Sequence, residues 1–115
     1  MTAPLIPSTP KSPWVIFVVI EVRPEHVEEF LTLVSEVIDA MRHESTFINT
    51  VLSRDLNDPS RFSLFEIWQD REEFFSVQLH RAYRSSYSHR IEQICKTPRQ
   101  ISEWLQIRAD CCPHA

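Results

Sequence analysis

Four stretches rich in β-branched and aromatic residues, interleaved with two helical patterns, predict an α+β domain of ferredoxin-like βαββαβ order. The run Trp14 to Val22 (WVIFVVIEV) is apolar at odd and even positions alike until Glu21, as in a strand covered on both faces. The stretch Ser63 to Asp70 (SLFEIWQD) sets Glu66 and Trp68 on one face of a strand and Phe65 and Ile67 on the other, and neither set suits solvent. In this order the strands form a four-stranded antiparallel sheet with the helices on one face. The chain's own helices roof only that face. A wet second face would expose roughly several hundred Å² of apolar surface, more than monomers normally carry, so a homodimer packed sheet against sheet is expected.

The elements follow in order. Residues 1–13 hold four of the eight prolines and read as a flexible arm; residues 14–108 form the domain and 109–115 a tail. After the first strand, Pro24 suits an opening helical turn, and Glu25, Glu28 and Glu29 lie at the positive end of its dipole. Val27, Phe30, Leu31, Val34, Val37, Ile38 and Met41 recur at three- and four-residue spacing, one apolar stripe on a long helix. Phe47 to Asp55 and Arg61 to Gln69 read as a hairpin across the turn Leu56–Ser60. Asp70 and Glu73 resemble a capping box opening a short helix through Leu79. A further helix is expected from His80 to Lys96, with His80, Tyr83, Tyr87, Ile91 and Ile94 inward, and Pro98 stops it before a last strand over Arg99–Ile107.

Composition excludes several classes. The 115 residues suffice for one core. A net charge of −4 argues against a nucleic-acid binder. The longest apolar run is too short to span a bilayer, and no secretory leader pattern is visible. Three cysteines, Cys95, Cys111 and Cys112, are a poor disulfide framework and suit a reducing, cytoplasmic setting. Glycine is absent altogether. No phosphate-cradling P-loop or G-x-G-x-x-G nucleotide fingerprint can therefore exist, and turns must rely on Asn, Asp, Ser and Pro. Cys111-Cys112-Pro113-His114 lacks the ligand spacing of a zinc site, so no metal is expected there.

One motif carries a resemblance. A strand ending in Arg54-Asp55, a turn with Asp58-Pro59, then Arg61-Phe62 and Glu66-x-Trp68 before a helix is similar to the antibiotic biosynthesis monooxygenase family of dimeric α+β barrels. The similarity spans about residues 14–108. It implies that fold, a homodimer, and in some members oxygenation of quinol-type aromatics without a cofactor; other members degrade haem or isomerise a signal molecule. The chain departs from the pattern in places. Ser45 and Thr46 stand where many members have glycine. One histidine, His80, and Tyr83 occupy the region where quinol-oxidising members often carry two histidines. The first strand has Val18 and Val19 and no Asn, which disfavours haem degradation.

Candidate site residues each have two readings. His80, Tyr83 and Tyr87 at i, i+3 and i+7 would line a pocket between helix and sheet, as proton carriers or hydrogen-bond partners, or else the tyrosines sit at the core rim with wet hydroxyls and His80 is exposed. Glu66, among apolar neighbours, would take a substrate hydroxyl proton, or pair with Arg61 or Arg84 and hold the fold. Trp68 is core or the flat wall of an aromatic-binding cavity. Asn49 is a satisfied strand polar group or a pocket donor. Arg81, Arg84, Arg90, Lys96 and Arg99 form the solvated face of the last helix, or attract an anionic ligand. The expected function is cofactor-independent monooxygenation of a small phenolic or quinol-type aromatic, with His80 or Glu66 as catalytic base. The rivals are a non-catalytic dimeric binding or interaction module and an isomerase or decarboxylase on the same scaffold.

Overall fold

The computed structural model describes residues 12–113; most of the proline-rich arm and His114 lie outside them. Strands β1 (Trp14–Glu21), β2 (Phe47–Arg54), β3 (Arg61–Trp68) and β4 (Gln100–Leu105) form one antiparallel sheet in the order β2-β3-β1-β4. Helix α1 (Val27–Met41) follows a 3-10 turn at Pro24–His26, and the short α2 (Arg71–Ser76) follows β3. Two more 3-10 turns, Gln78–His80 and Ala82–Arg84, lead into α3 (Ser85–Ile94). This is the ferredoxin-like α+β arrangement that the strand and helix order predicts.

Strand alternation sorts the sheet into two surfaces. Trp14, Ile16, Val18 and Ile20 of β1 and Phe62, Leu64, Glu66 and Trp68 of β3 all point to the helix side and are buried. Phe30, Val34, Val37 and Met41, spaced 4-3-4 along α1, and Ile91 and Ile94 of α3 close the core over them. Each such side chain contributes about 1.5–3 kcal/mol by leaving water. At one end Phe74 of α2 packs between Trp14 and Trp68, with ring centroids 5.0 and 5.3 Å away.

The other surface carries Val15, Phe17, Val19, Phe65 and Ile67, half-buried by strand neighbours, with Val51 and Trp104 exposed. Among the described residues no helix covers it.

Turns without glycine work as expected. No described residue has positive φ. Between β2 and β3, Asp55 accepts the Asn57 N–H and Asp58 accepts both the N–H and the hydroxyl of Ser60. Asp70 caps α2 by accepting the N–H groups of Glu72 and Glu73, while the Glu73 carboxylate takes the Thr46 hydroxyl and the Gln78 amide.

Three expectations need correction. The helix expected over His80–Lys96 begins only at Ser85, because Arg81 adopts an extended backbone (φ −61°, ψ 138°) between two 3-10 turns. That placement lets Arg81 pair with Glu44 at the end of α1. The helical phase is thereby reset, so His80 is exposed rather than inward. The last strand is shorter than Arg99–Ile107, an edge strand paired only with β1.

Candidate active-site cavity

A cavity of about 270 Å³ opens between α1, α3 and the helix side of the sheet. Its walls are apolar, with Val18 and Leu64 from the sheet and Val37 and Met41 from α1. Its polar groups are few and convergent: Glu66, Arg84 and Tyr87 inside, Arg99 and Glu103 toward β4. A small apolar space with a handful of placed polar groups is the usual form of a small-molecule site.

Glu66 and Arg84 are the centre of it. Glu66 is 6% and Arg84 7% exposed. The Arg84 Nη2 lies 3.7 Å from Glu66 Oε1, and the same oxygen accepts the Trp68 indole N–H at 2.9 Å. Alternation puts Glu66 and Trp68 side by side on β3, so the indole steadies the carboxylate. Arg84 lies against Phe74, Trp68 and Tyr83, its guanidinium carbon 5.3, 5.9 and 5.8 Å from their ring centroids. Its Nη2 also approaches the Met41 sulfur. Its Nε, buried, has no hydrogen-bond partner among the described residues. An unpaired buried donor is costly, and one that lines a cavity is a ready partner for an oxygen placed there.

The two tyrosines are hydroxyl donors. Burial pushes the Tyr87 phenol up, against the opposing pull of Arg99, whose guanidinium lies over its ring at 5.9 Å. Tyr83 is pushed up to about 12 by burial and by its hydrogen bond to Glu44. Both remain protonated at neutral pH, which suits them to donate and not to act as bases.

A model of the antibiotic biosynthesis monooxygenase family matches residues 13–86. The chain belongs to that family. The match takes in Glu66, Trp68 and Arg84 and ends before Tyr87, Arg99 and β4. Among solved structures, a conserved protein from Methanosarcina mazei Go1 is similar at 17% identity, covering 84% of this chain and 94% of its own, with a TM-score of 0.76. A Nitrosomonas europaea protein named for the same family matches at 16% identity, over 84% and 92%, with a TM-score of 0.78. Rv0793 from Mycobacterium tuberculosis matches at 15% identity, over 87% and 100%, also at 0.78. At such identities these structures establish the fold. No curated protein matches the sequence.

Within this antibiotic biosynthesis monooxygenase domain the sequence candidates separate. Glu66 and Tyr87 line the cavity, and Trp68 lies beneath Glu66 as its donor. Tyr83 is half-buried beside Arg84 and bonded to Glu44. His80 sits exposed on a turn outside the cavity lining. Asn49 is exposed on β2, paired opposite Ile67 on the uncovered face, with its side-chain oxygen accepting the Thr50 N–H. Arg84, expected either on a solvated face or as a partner of Glu66, is buried and takes the second of these places. Arg84 falls at i, i+3, i+7 and i+10 with Tyr87, Ile91 and Ile94, but this stripe is no tighter than the one begun at His80, so spacing alone does not single Arg84 out.

Cys95 is buried, which pushes its thiol up, while Cys111 and Cys112 are exposed. Among the described residues no group of three metal-ligating side chains comes together. Among them, too, no helix is long and apolar enough to cross a membrane.

Proposed function

We propose that the protein is a homodimeric, cofactor-independent monooxygenase that acts on a small phenolic or quinol-type aromatic, with Glu66 as the base. The observation that carries this is the buried Glu66–Arg84 pair facing an apolar cavity. A phenol entering there gives its proton to Glu66, and Arg84 then pairs with the phenolate. One anion replaces another beside the same cation, so no additional charge is buried. The electron-rich anion reacts with dioxygen: a C–O bond forms, the ring C–H proton leaves, and the hydroperoxide O–O bond breaks to release water. One oxygen atom ends in the product carbonyl and one in water, and the substrate supplies all the electrons. The chain contributes a dry cavity, a base and a cation for the oxyanion. At about 270 Å³ the cavity is just below the roughly 300 Å³ lower end of drug-sized sites, which favours one or two fused rings.

The dimer is part of the proposal. The surface formed by Val15, Phe17, Phe65, Ile67 and Trp104 is apolar and continuous along three paired strands, which supports packing against a second copy about a twofold axis. Free cysteines support a reducing, cytoplasmic setting.

The test is oxygen consumption with a menadiol-type quinol. Turnover no faster than the uncatalysed background refutes the reading. Glu66→Gln should lower the rate about 10²-fold or more, while a comparable loss in His80→Phe would move the base to the turn. One observation favours a rival, a dimeric binding module without chemistry: the histidine stands outside the cavity. That rival predicts ligand binding with no oxygen uptake.

A further inference from the structure

Six of the twelve lysines and arginines of this chain are neutralised locally. Arg61, Arg71, Arg81, Arg84, Arg90 and Arg108 each have a carboxylate within ion-pair reach. Arg23, Lys96 and Arg99 form no ion pair among the described residues, and all three line a single cleft of about 580 Å³. The cleft lies where β1 ends, α3 stops and β4 begins. It meets the Glu66 cavity, because Arg99 and Ile101 line both spaces.

Two of the three cations are held by neutral partners. The Arg23 guanidinium donates to the Gln93 carbonyl, and Arg99 rests over the Tyr87 ring. Their positions are fixed while their charge is left uncompensated. Lys96 acts at longer range on Asp58, a carboxylate already occupied by Ser60. Glu92 lies on the same cleft and subtracts one charge, leaving a net excess of two positive charges in a chain of net charge −4. The inner cavity is different, since Glu66 and Arg84 cancel there.

Resting on the oxygenase reading, we propose that the substrate is an aromatic bearing an anionic group, a carboxylate or a sulfate or phosphate ester, at the end remote from the reacting hydroxyl. The ring occupies the apolar cavity with its hydroxyl at Glu66, and the anion lies in the cleft between Arg99, Lys96 and Arg23. This division follows from the charges: a second anion beside Glu66 would be repelled, whereas at the cleft it meets cations that outnumber the one carboxylate there and form no ion pair among the described residues.

Equilibrium binding of a matched pair tests this by fluorescence: 2-naphthol, and 6-hydroxy-2-naphthoate, which adds a carboxylate at the far end. The naphthoate should bind on the order of tenfold more tightly at low salt, as two or three partly exposed charge contacts allow. The advantage should shrink at high ionic strength. In the double variant Arg23→Gln/Lys96→Gln the advantage should vanish with 2-naphthol affinity unchanged, whereas Arg42→Gln/Arg54→Gln, the same charge change elsewhere, should keep it. Equal affinities in the parent protein overturn the anion proposal and leave the cavity reading standing. The anion proposal is equally overturned if the advantage survives in the first variant, falls equally in the second, or disappears only together with 2-naphthol binding. If neither naphthol binds the parent protein, both readings fall.

Discussion

Removing Arg84 should destabilise the fold far more than removing the whole charge pair. At 3.7 Å the Glu66–Arg84 attraction is worth about 4–5 kcal/mol in an effective dielectric near 20. Against it stands the desolvation of two ions that are 6% and 7% exposed, several kcal/mol for each. The two nearly cancel, so the intact pair contributes little net stability. Arg84→Met keeps a long side chain against Phe74 and Met41 but leaves Glu66 with only the Trp68 N–H as partner among the described residues. The expected loss is about 3–5 kcal/mol, the usual result of orphaning a buried charge. In Glu66→Leu/Arg84→Met both charges are gone, and stability should return to within about 1 kcal/mol of the parent.

Urea unfolding followed by circular dichroism measures this, at one fixed protein concentration because the proposed dimer would add to apparent stability. The diagnostic is the order of the midpoints: the double variant above the Arg84→Met single variant by about 3 kcal/mol. A single variant that loses under about 1 kcal/mol, or a double variant no better than the single, would refute the picture of a desolvated, mutually dependent pair.

Three further outcomes follow. Phe17→Glu, a charge in the middle of the uncovered face opposite Phe65, should convert a dimer of the 13.6 kDa chain into a monomer by light scattering; a parent protein that is already monomeric refutes the sheet-to-sheet dimer. Asp70→Ala removes the acceptor for two N–H groups of α2 and should cost about 1 kcal/mol, read as a melting point lower by a few degrees, while an unchanged melting point would show that the cap is idle. The Asn57 N–H and Arg61 hold the Asp55 carboxyl below its ordinary value of 3.8. A lowered folded value means that the stabilisation is present above 3.8 and is lost as pH falls through the folded value. Asp55→Asn should therefore weaken the protein at neutral pH, and the difference should close as the solution is acidified below 3.8; a pH-independent difference would assign the effect to shape.

The fold was legible because its signals are local and redundant. Trp14–Val22 and Phe62–Trp68 carry β-branched and aromatic residues through whole strands, and α1 repeats its stripe from Phe30 to Met41. The motif joining Arg54 to Trp68 then fixes the hairpin register. The site was half legible. Glu66 could be picked out because a carboxylate falls on the strand face that also carries Phe62, Leu64 and Trp68. Arg84 was legible only as one of two possible partners of Glu66, since its inward orientation depends on the extended backbone at Arg81, and that is tied to Glu44, which is remote in sequence. No local window contains that dependence. The same break removes His80 from the stripe that sequence periodicity assigned to it.

In the proposed function the two surfaces of the sheet do separate work, one enclosing the cavity and the other meeting a second copy. The residues of this chain that line the Glu66 cavity lie on the helix side, while Phe17 and its neighbours face the other way. Breaking the proposed dimer with Phe17→Glu should therefore leave 2-naphthol affinity within about twofold of the parent at temperatures where the monomer is folded, even as the melting point falls with the lost apolar contact. The strands conduct little between the surfaces, because alternate side chains share a backbone but not a neighbour. If binding is instead lost in step with dimer dissociation, the mouth of the cavity is completed by the second copy. Edge strand β4 is the place to seek that contact, since Ile101 and Glu103 line the cavity while Trp104, between β4 neighbours, lies on the uncovered face.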